Sequence, residues 1–226
     1  MGLGVGSLLV SLLVSLPAQL VADRIGHGGA ILAVSGSLWK GRAILAGGQQ
    51  IGWQLSAGRS LTGLGVAGRV TLQGPGSDAA GSLLLGRGRV AIGPLDGPLS
   101  AALLQAVLPG AGYACAGGLV AQGFALHIRR DTASGAGELR SGPLDCRETA
   151  TGAVLALPAA ALTLRDGPQG STARLATIDG VPLAKVDVST DGRMTATLLA
   201  AGAALVPGLA AGGDSVLDLP LVLLFP

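Results

Sequence analysis

Two imidazoles, His27 and His127, are the only histidines in the chain, and Gly213-Asp214-Ser215-Val216 resembles the nucleophile block of lipase-like hydrolases. Acyl transfer by serine needs a histidine base beside the hydroxyl and a carboxylate behind the histidine. In those hydrolases the serine block lies near the chain start, and a His-containing block comes late. Here Ser215 stands 11 residues from the end, with no histidine after it. His27 falls in a Gly-rich turn and His127 on the wet side of a strand-like run, so both read as exposed side chains. Glu138 and Glu148 are the only glutamates, and several aspartates precede glycine, where they read as turn residues. Gly63-Leu64-Gly65-Val66-Ala67-Gly68 has dinucleotide-site spacing, but that mechanism needs a helix N-terminus facing the pyrophosphate. The next residues, Arg69-Val70-Thr71-Leu72, make a strand-like run instead. Two Cys and two His leave little material for a metal site. The expectation is a non-enzymatic protein with no cofactor, no metal and no catalytic residue.

Composition narrows the class further. Charged residues are 12% of the 226, against roughly 25% in ordinary globular domains. Apolar residues are 49%, so the chain is not disordered. Net charge is +2, from 15 Lys+Arg against 13 Asp+Glu. That balance argues against a nucleic-acid partner held by counterion release. Only 2% of residues are aromatic, so Leu, Val, Ile and Ala must make the core, and the 39 glycines thin it. A curved, extended sheet suits such a core better than a compact barrel.

Residues 1–22 carry no charged side chain, and their apolar heart, Leu8 to Leu16, ends at Pro17. Leu3 to Ala22 approaches the ~20 residues that cross a bilayer. The expectation is a single-pass membrane anchor; the alternative is a signal peptide cut after Ala22. Residues 23–226 then form a β domain with a subdivision near 110. An even cysteine pair downstream of an export segment, Cys115 and Cys146, predicts a disulfide.

Beyond the anchor the hydrophobic period is mostly two, the pattern of antiparallel strands with one wet face. Val66, Gly68, Val70 and Leu72 alternate with Ala67, Arg69 and Thr71. Phe124, Leu126 and Ile128 alternate with Ala125 and His127. Four Asp-Gly pairs, at Asp96, Asp166, Asp179 and Asp191, predict tight turns. Gln73–Gly81 and Thr132–Gly137 are rich in small residues and predict loops. One short helix is predicted over Ala101–Leu108, capped by Ser100 and stopped by Pro109-Gly110. The fold class is therefore mainly β: an N-terminal transmembrane helix, then a curved, antiparallel, extended sheet with one short helix.

The distinctive segment is Val34-Ser35-Gly36-Ser37-Leu38-Trp39-Lys40-Gly41-Arg42-Ala43. A Gly-flanked Trp within a strand predicts another backbone packed close to a large ring, with Gly36 and Gly41 giving the space. A buried Trp39 would cost about 3–5 kcal/mol on truncation to alanine.

The order of these features resembles the type II secretion system protein N family, also called general secretion pathway protein N. Its members carry an apolar anchor ending in Leu-Pro-Ala, here Leu16-Pro17-Ala18. A strand comes after it with Val-x-Gly-[Ser/Thr]-Leu-Trp-x-Gly-x-Ala, here Val34 to Ala43. A Trp-x-Leu segment is next, here Trp53-Gln54-Leu55. The resemblance is close over residues 8 to 72 and looser beyond. It implies a non-enzymatic component of the type II secretion machinery, anchored in the bacterial inner membrane with its main domain in the periplasm. Its partners would be other secretion subunits, the inner-membrane platform and the secretin. Gly36, Leu38, Trp39, Gly41 and Trp53 would be structural or partner contacts. A second reading keeps the same fold and makes it a periplasmic lipid-binding β protein with an apolar groove.

Overall fold

A computed structural model describes residues 31–45, 47–56, 65–86, 88–103, 112–129, 132–168, 170–205 and 214–220. The proposed anchor (1–22), His27 and the predicted helix beyond Leu103 lie outside the described residues. Alternating sequence yields strands almost throughout. Six precede residue 110: β1 (Ile31–Gly36), β2 (Lys40–Leu45), β3 (Gln50–Leu55), β4 (Gly65–Gly74), β5 (Ser77–Gly86) and β6 (Arg89–Ser100). Ten lie beyond it: β7 (Tyr113–Ala116), β8 (Gly118–Arg129), β9 (Ala133–Ser141), β10 (Leu144–Glu148), β11 (Val154–Leu157), β12 (Ala160–Gly167), β13 (Gly170–Thr177), β14 (Pro182–Ser189), β15 (Arg193–Leu198) and β16 (Ser215–Pro220). A four-residue helix, α1 (Ala200–Ala203), comes after β15.

Thirteen strands form one antiparallel sheet in the order β1-β2-β3-β4-β5-β6-β8-β9-β12-β13-β14-β15-β16. Among the described residues, β7 (between β6 and β8) and β10 and β11 (between β9 and β12) lie outside this sheet and form a second, three-stranded one. β6, before residue 110, and β8, after it, pair directly in the main sheet.

Residues opposite one another in a ladder share a side, so the register separates two faces. One face is apolar. Ala43, Ile51, Leu72 and Ala79 make a row across four strands. Leu162, Leu175, Ala184 and Leu198 make another across the second half. The opposite face carries Lys40, Gln54, Arg69 and Ser82 in one row, and Glu138, Thr163, Arg174, Lys185 and Thr197 in another. The small sheet covers the middle of the apolar face. There Ala79, Leu99, Ala101, Leu119 and Ala121 of the main sheet's side pack with Leu144 and Cys146 of β10.

Several local expectations are corrected. Asp96-Gly97 is not a hairpin turn; it lies inside β6, among register shifts on both sides of the strand. Gly97 takes φ +121°, and Asp96 Oδ1 accepts the Gly123 N–H of β8 at 2.6 Å. The dipeptide makes a bulge, which bends the strand instead of ending it. The other three Asp-Gly pairs do sit at hairpin ends. Gln73–Gly81 and Thr132–Gly137 are largely strand, broken only by a Pro75-Gly76 turn and the start of β9. Their small residues are held by ladders on both sides. The predicted helix, by contrast, does begin where expected: Ala102 and Leu103 are helical, and Ser100 Oγ accepts the Ala102 N–H at 3.3 Å. No described helix is long and apolar enough to cross a membrane.

Candidate functional site: a tryptophan-locked corner and an open apolar face

The motif residues converge where β1, β2 and β3 meet, but not as the spacing predicts. Trp39 does not lie in a strand. Gly36 ends β1 with φ +99°, and Ser37-Leu38-Trp39 turn the chain into β2. The turn is closed by Ser37 N–H on the Lys40 carbonyl at 2.9 Å and by Lys40 N–H on Ser37 Oγ at 3.2 Å. Trp39 is half-buried, and its carbonyl accepts the Leu55 N–H at 2.6 Å.

The ring that needs the glycine is Trp53. Gly41 and Trp53 are opposed in the β2–β3 ladder. A Cβ on Gly41 would overlap the ring at Cζ2, lie 2.8 Å from Cε2, and lie 2.7 Å from the Ser35 carbonyl oxygen. The indole lies across the β2 backbone, which only glycine permits. Its Nε1–H donates to the Leu38 carbonyl at 3.0 Å and to the Ser37 carbonyl at 3.3 Å. Trp53 therefore clamps the β1–β2 turn from the next strand. Gly36, Leu38, Gly41 and Trp53 are brought together, and Trp39 contributes through its backbone.

Cys115 and Cys146 are disulfide-bonded. They are directly opposed on β7 and β10, and Cys146 is 2% exposed within the core cluster.

Sequence reasoning does not resolve the apolar face beyond the small sheet into a site. Val66, Leu85, Val90, Ile128 and Ala133 form one row across β4, β5, β6, β8 and β9. Leu55, Gly68, Leu83, Ile92, Leu126 and Gly135 form the next. This patch is open: Leu85 is 42% and Ile92 38% exposed. It leads into a cavity of about 200 Å³ lined by Leu126, Gly135, Leu164, Val186, Val188 and Met194 among others. Small residues on β9 and β13, including Gly135 and Ala173, leave the space between larger neighbours. At the cavity's end Asp166 Oδ1 accepts the Gly135 N–H at 2.7 Å, and Ser171 Oγ lies 2.6 Å from it and 2.7 Å from the Ala133 carbonyl. The alternation signals an apolar face; which part stays open depends on where the small sheet lands.

The hydrolase candidates are far apart. His127 sits on the polar face of β8, opposite Ala91 and Ser134. Ser215 begins β16, opposite Leu198 on the other face. Six strand steps separate β8 from β16, roughly 25–30 Å at the usual spacing. No group of three or more metal-ligating side chains is present among the described residues. Compared with known proteins, the chain matches no family model, no curated protein and no solved structure.

Proposed function

We propose that this chain is a non-enzymatic component of the type II secretion machinery, held at the bacterial inner membrane by residues 1–22 with its β domain in the periplasm. In that role it links or assembles other subunits, the inner-membrane platform and the secretin among them. The observation that carries the reading is the corner itself. The residues of the Val34–Ala43 and Trp53–Leu55 resemblance are not scattered but interlock, with Trp53 filling the space left by Gly41 and holding the turn that contains Leu38. A shared motif whose parts depend on each other physically is stronger support than a shared string. The test is a detergent pull-down of the tagged full-length protein, with mass spectrometry reading both its companions and its N-terminus. Recovery of secretion subunits with residues 1–22 intact supports the proposal.

One observation favours a second reading, a periplasmic lipid-binding protein. Under the open apolar rows β5, β6 and β8 are paired on both sides, and at the adjoining cavity the Gly135 N–H and the Ala133 carbonyl are taken by Asp166 and Ser171, so the floor offers a guest few free backbone donors or acceptors. A peptide laid there would leave its own amides unmet, at a cost of several kcal/mol each. An acyl chain brings no such groups. Lipid co-purifying without secretion subunits, from a chain that begins at Asp23, would favour this reading and sink the first. Recovery of neither would sink both.

A further inference from the structure

The polar face is not uniform. In the second half of the chain, three cations are matched by neighbouring carboxylates: Arg140 with Glu138 at 3.0 Å, Lys185 with Asp187 at 2.7 Å, and Arg193 with Asp218 at 2.6 Å. Over β2–β4 none is. Lys40, Arg42 and Arg69 are exposed on the same side of β2 and β4, and none meets a carboxylate among the described residues. Arg42 Nε donates to Ser35 Oγ, at 3.3 Å. The sequence shows why. Between Asp23 and Asp78 there is no Asp or Glu, while Arg24, Lys40, Arg42, Arg59 and Arg69 all fall there. Asp78 itself lies four residues along β5 from Ser82, the residue opposite Arg69, about 14 Å away along the strand.

We propose that this face of β2–β4 docks on the anionic headgroups of a phospholipid bilayer. Three features select that occupant. Lys40 and Arg69 stand two strands apart, about 10 Å, and Arg42 is two residues from Lys40, about 7 Å. The cations are thus spread over a sheet surface, with Gln54, Gly52 and Thr71 between them, and match an array of negative groups better than one small anion. Their charge has no carboxylate complement within the sheet, so an external anion supplies it. The uncharged apolar run Leu3–Ala22 ends nine residues before β1, a tether of at most about 30 Å. In this last respect the proposal rests on the anchoring reading. Each cation near an anionic surface contributes about five-fold, or roughly 100-fold for the three. Tethering raises the effective concentration enough for so small a cluster to suffice.

The experiment uses the full chain carrying a fluorophore at Gln54→Cys, reconstituted with vesicles of phosphatidylcholine alone or of equal phosphatidylcholine and phosphatidylglycerol. Energy transfer to an acceptor on the lipid headgroups reports docking. Transfer from position 54 rises in the anionic vesicles and falls in molar salt. It falls likewise in the Lys40→Glu, Arg42→Glu, Arg69→Glu triple variant, whose fold is checked by circular dichroism. A fluorophore at Thr197→Cys, between the matched charges of the second half, shows no such dependence. Equal transfer from position 54 in both compositions overturns the proposal. Carbonate-resistant flotation is measured on the same samples. Flotation only with anionic vesicles, released by salt, defeats the anchor while leaving the docking face standing.

Discussion

Replacing Gly41 by alanine adds one methyl group where the Trp53 indole already lies. The added Cβ would sit 2.8 Å from Trp53 Cε2 and closer still to Cζ2, and 2.7 Å from the Ser35 carbonyl oxygen. Real Cβ atoms essentially never come within 3.0 Å of a non-bonded heavy atom, so something must move. The ring can shift only by giving up its bonds to the Leu38 and Ser37 carbonyls, worth about 1 kcal/mol net. Overpacking of this kind costs about 1–3 kcal/mol. Alanine's lower unfolded-state entropy offsets part of that, ~0.5–1 kcal/mol. The expected net loss is about 2 kcal/mol, or a melting temperature lower by roughly 4–8 °C for a chain of this size.

A double-mutant cycle isolates the cause. In a Trp53→Leu background the clash with the ring disappears and only the Ser35 carbonyl remains. Gly41→Ala should then cost at least ~1 kcal/mol less than in the parent, and that difference is the coupling energy of the pair. Equilibrium urea unfolding followed by far-ultraviolet circular dichroism reads all four proteins without relying on tryptophan fluorescence. Additivity within about 0.5 kcal/mol would show that Trp53 and Gly41 do not depend on each other. The clamp account would then fail, and with it the observation supporting the secretion reading.

Reducing the Cys115–Cys146 bridge, or replacing both residues by alanine, opens a 31-residue loop and should cost about 3–4 kcal/mol; thermal melts with and without reductant check this. Asp96→Ala removes the acceptor of the Gly123 N–H and should cost about 1–2 kcal/mol, with amide exchange rising first at the β6–β8 bulge. Burial pushes the Asp187 carboxyl up, but hydrogen bonds from Lys185 and Thr172 and the charges of Lys185 and Arg174 hold it below its ordinary value; the Ser189 hydroxyl does the same for Asp191. A lowered folded value means stability that is present above pH ~3.9 and is lost as pH falls through the folded values. Urea midpoints from pH 6 down to pH 2 should therefore show a shallower acid loss in Asp187→Asn and Asp191→Asn than in the parent, the Asp187 pairing being worth only a few tenths of a kcal/mol at its exposure.

Period-two alternation places most of the main sheet because a ladder forces opposed residues to one side. Phe124, Leu126 and Ile128 can only lie together once β8 is a strand. Asp179-Gly180 and Asp191-Gly192 are readable as turns because both flanking runs end there. Asp96-Gly97 is not, since the same dipeptide suits a bulge whenever strand continues beyond it. Whether it does depends on β8, whose Gly123 donates to Asp96 from 27 residues away. Gln73–Gly81 misleads for a related reason. Alanine, serine and glycine have little strand preference of their own, and the neighbouring ladders supply what the side chains lack. At the corner, Gly41 is legible as a close approach, but adjacency in sequence assigns the ring to Trp39. Ladder register decides such contacts, and it puts Trp53 opposite Gly41.

The two faces of the sheet constrain each other. A strand cannot turn its apolar side inward on two faces, so a sheet of this length with one polar face has a single hydrophobic surface to cover. The chain covers part of it with strands β7, β10 and β11, fastened by the disulfide, and the buried residues there are mostly alanine and leucine. The part above β4–β6 and β8 stays half-open. If the opposite face lies along a bilayer, as its unmatched cations argue, the open apolar side points away from the membrane. That orientation suits a surface that meets another subunit or receives an acyl chain from one. It does not suit a surface that inserts into the bilayer. Labels on the two faces of β4, at Thr71 and Val66, therefore distinguish these arrangements: quenching by lipid-borne quenchers at 71 and not at 66 fits the first, and the reverse pattern fits insertion.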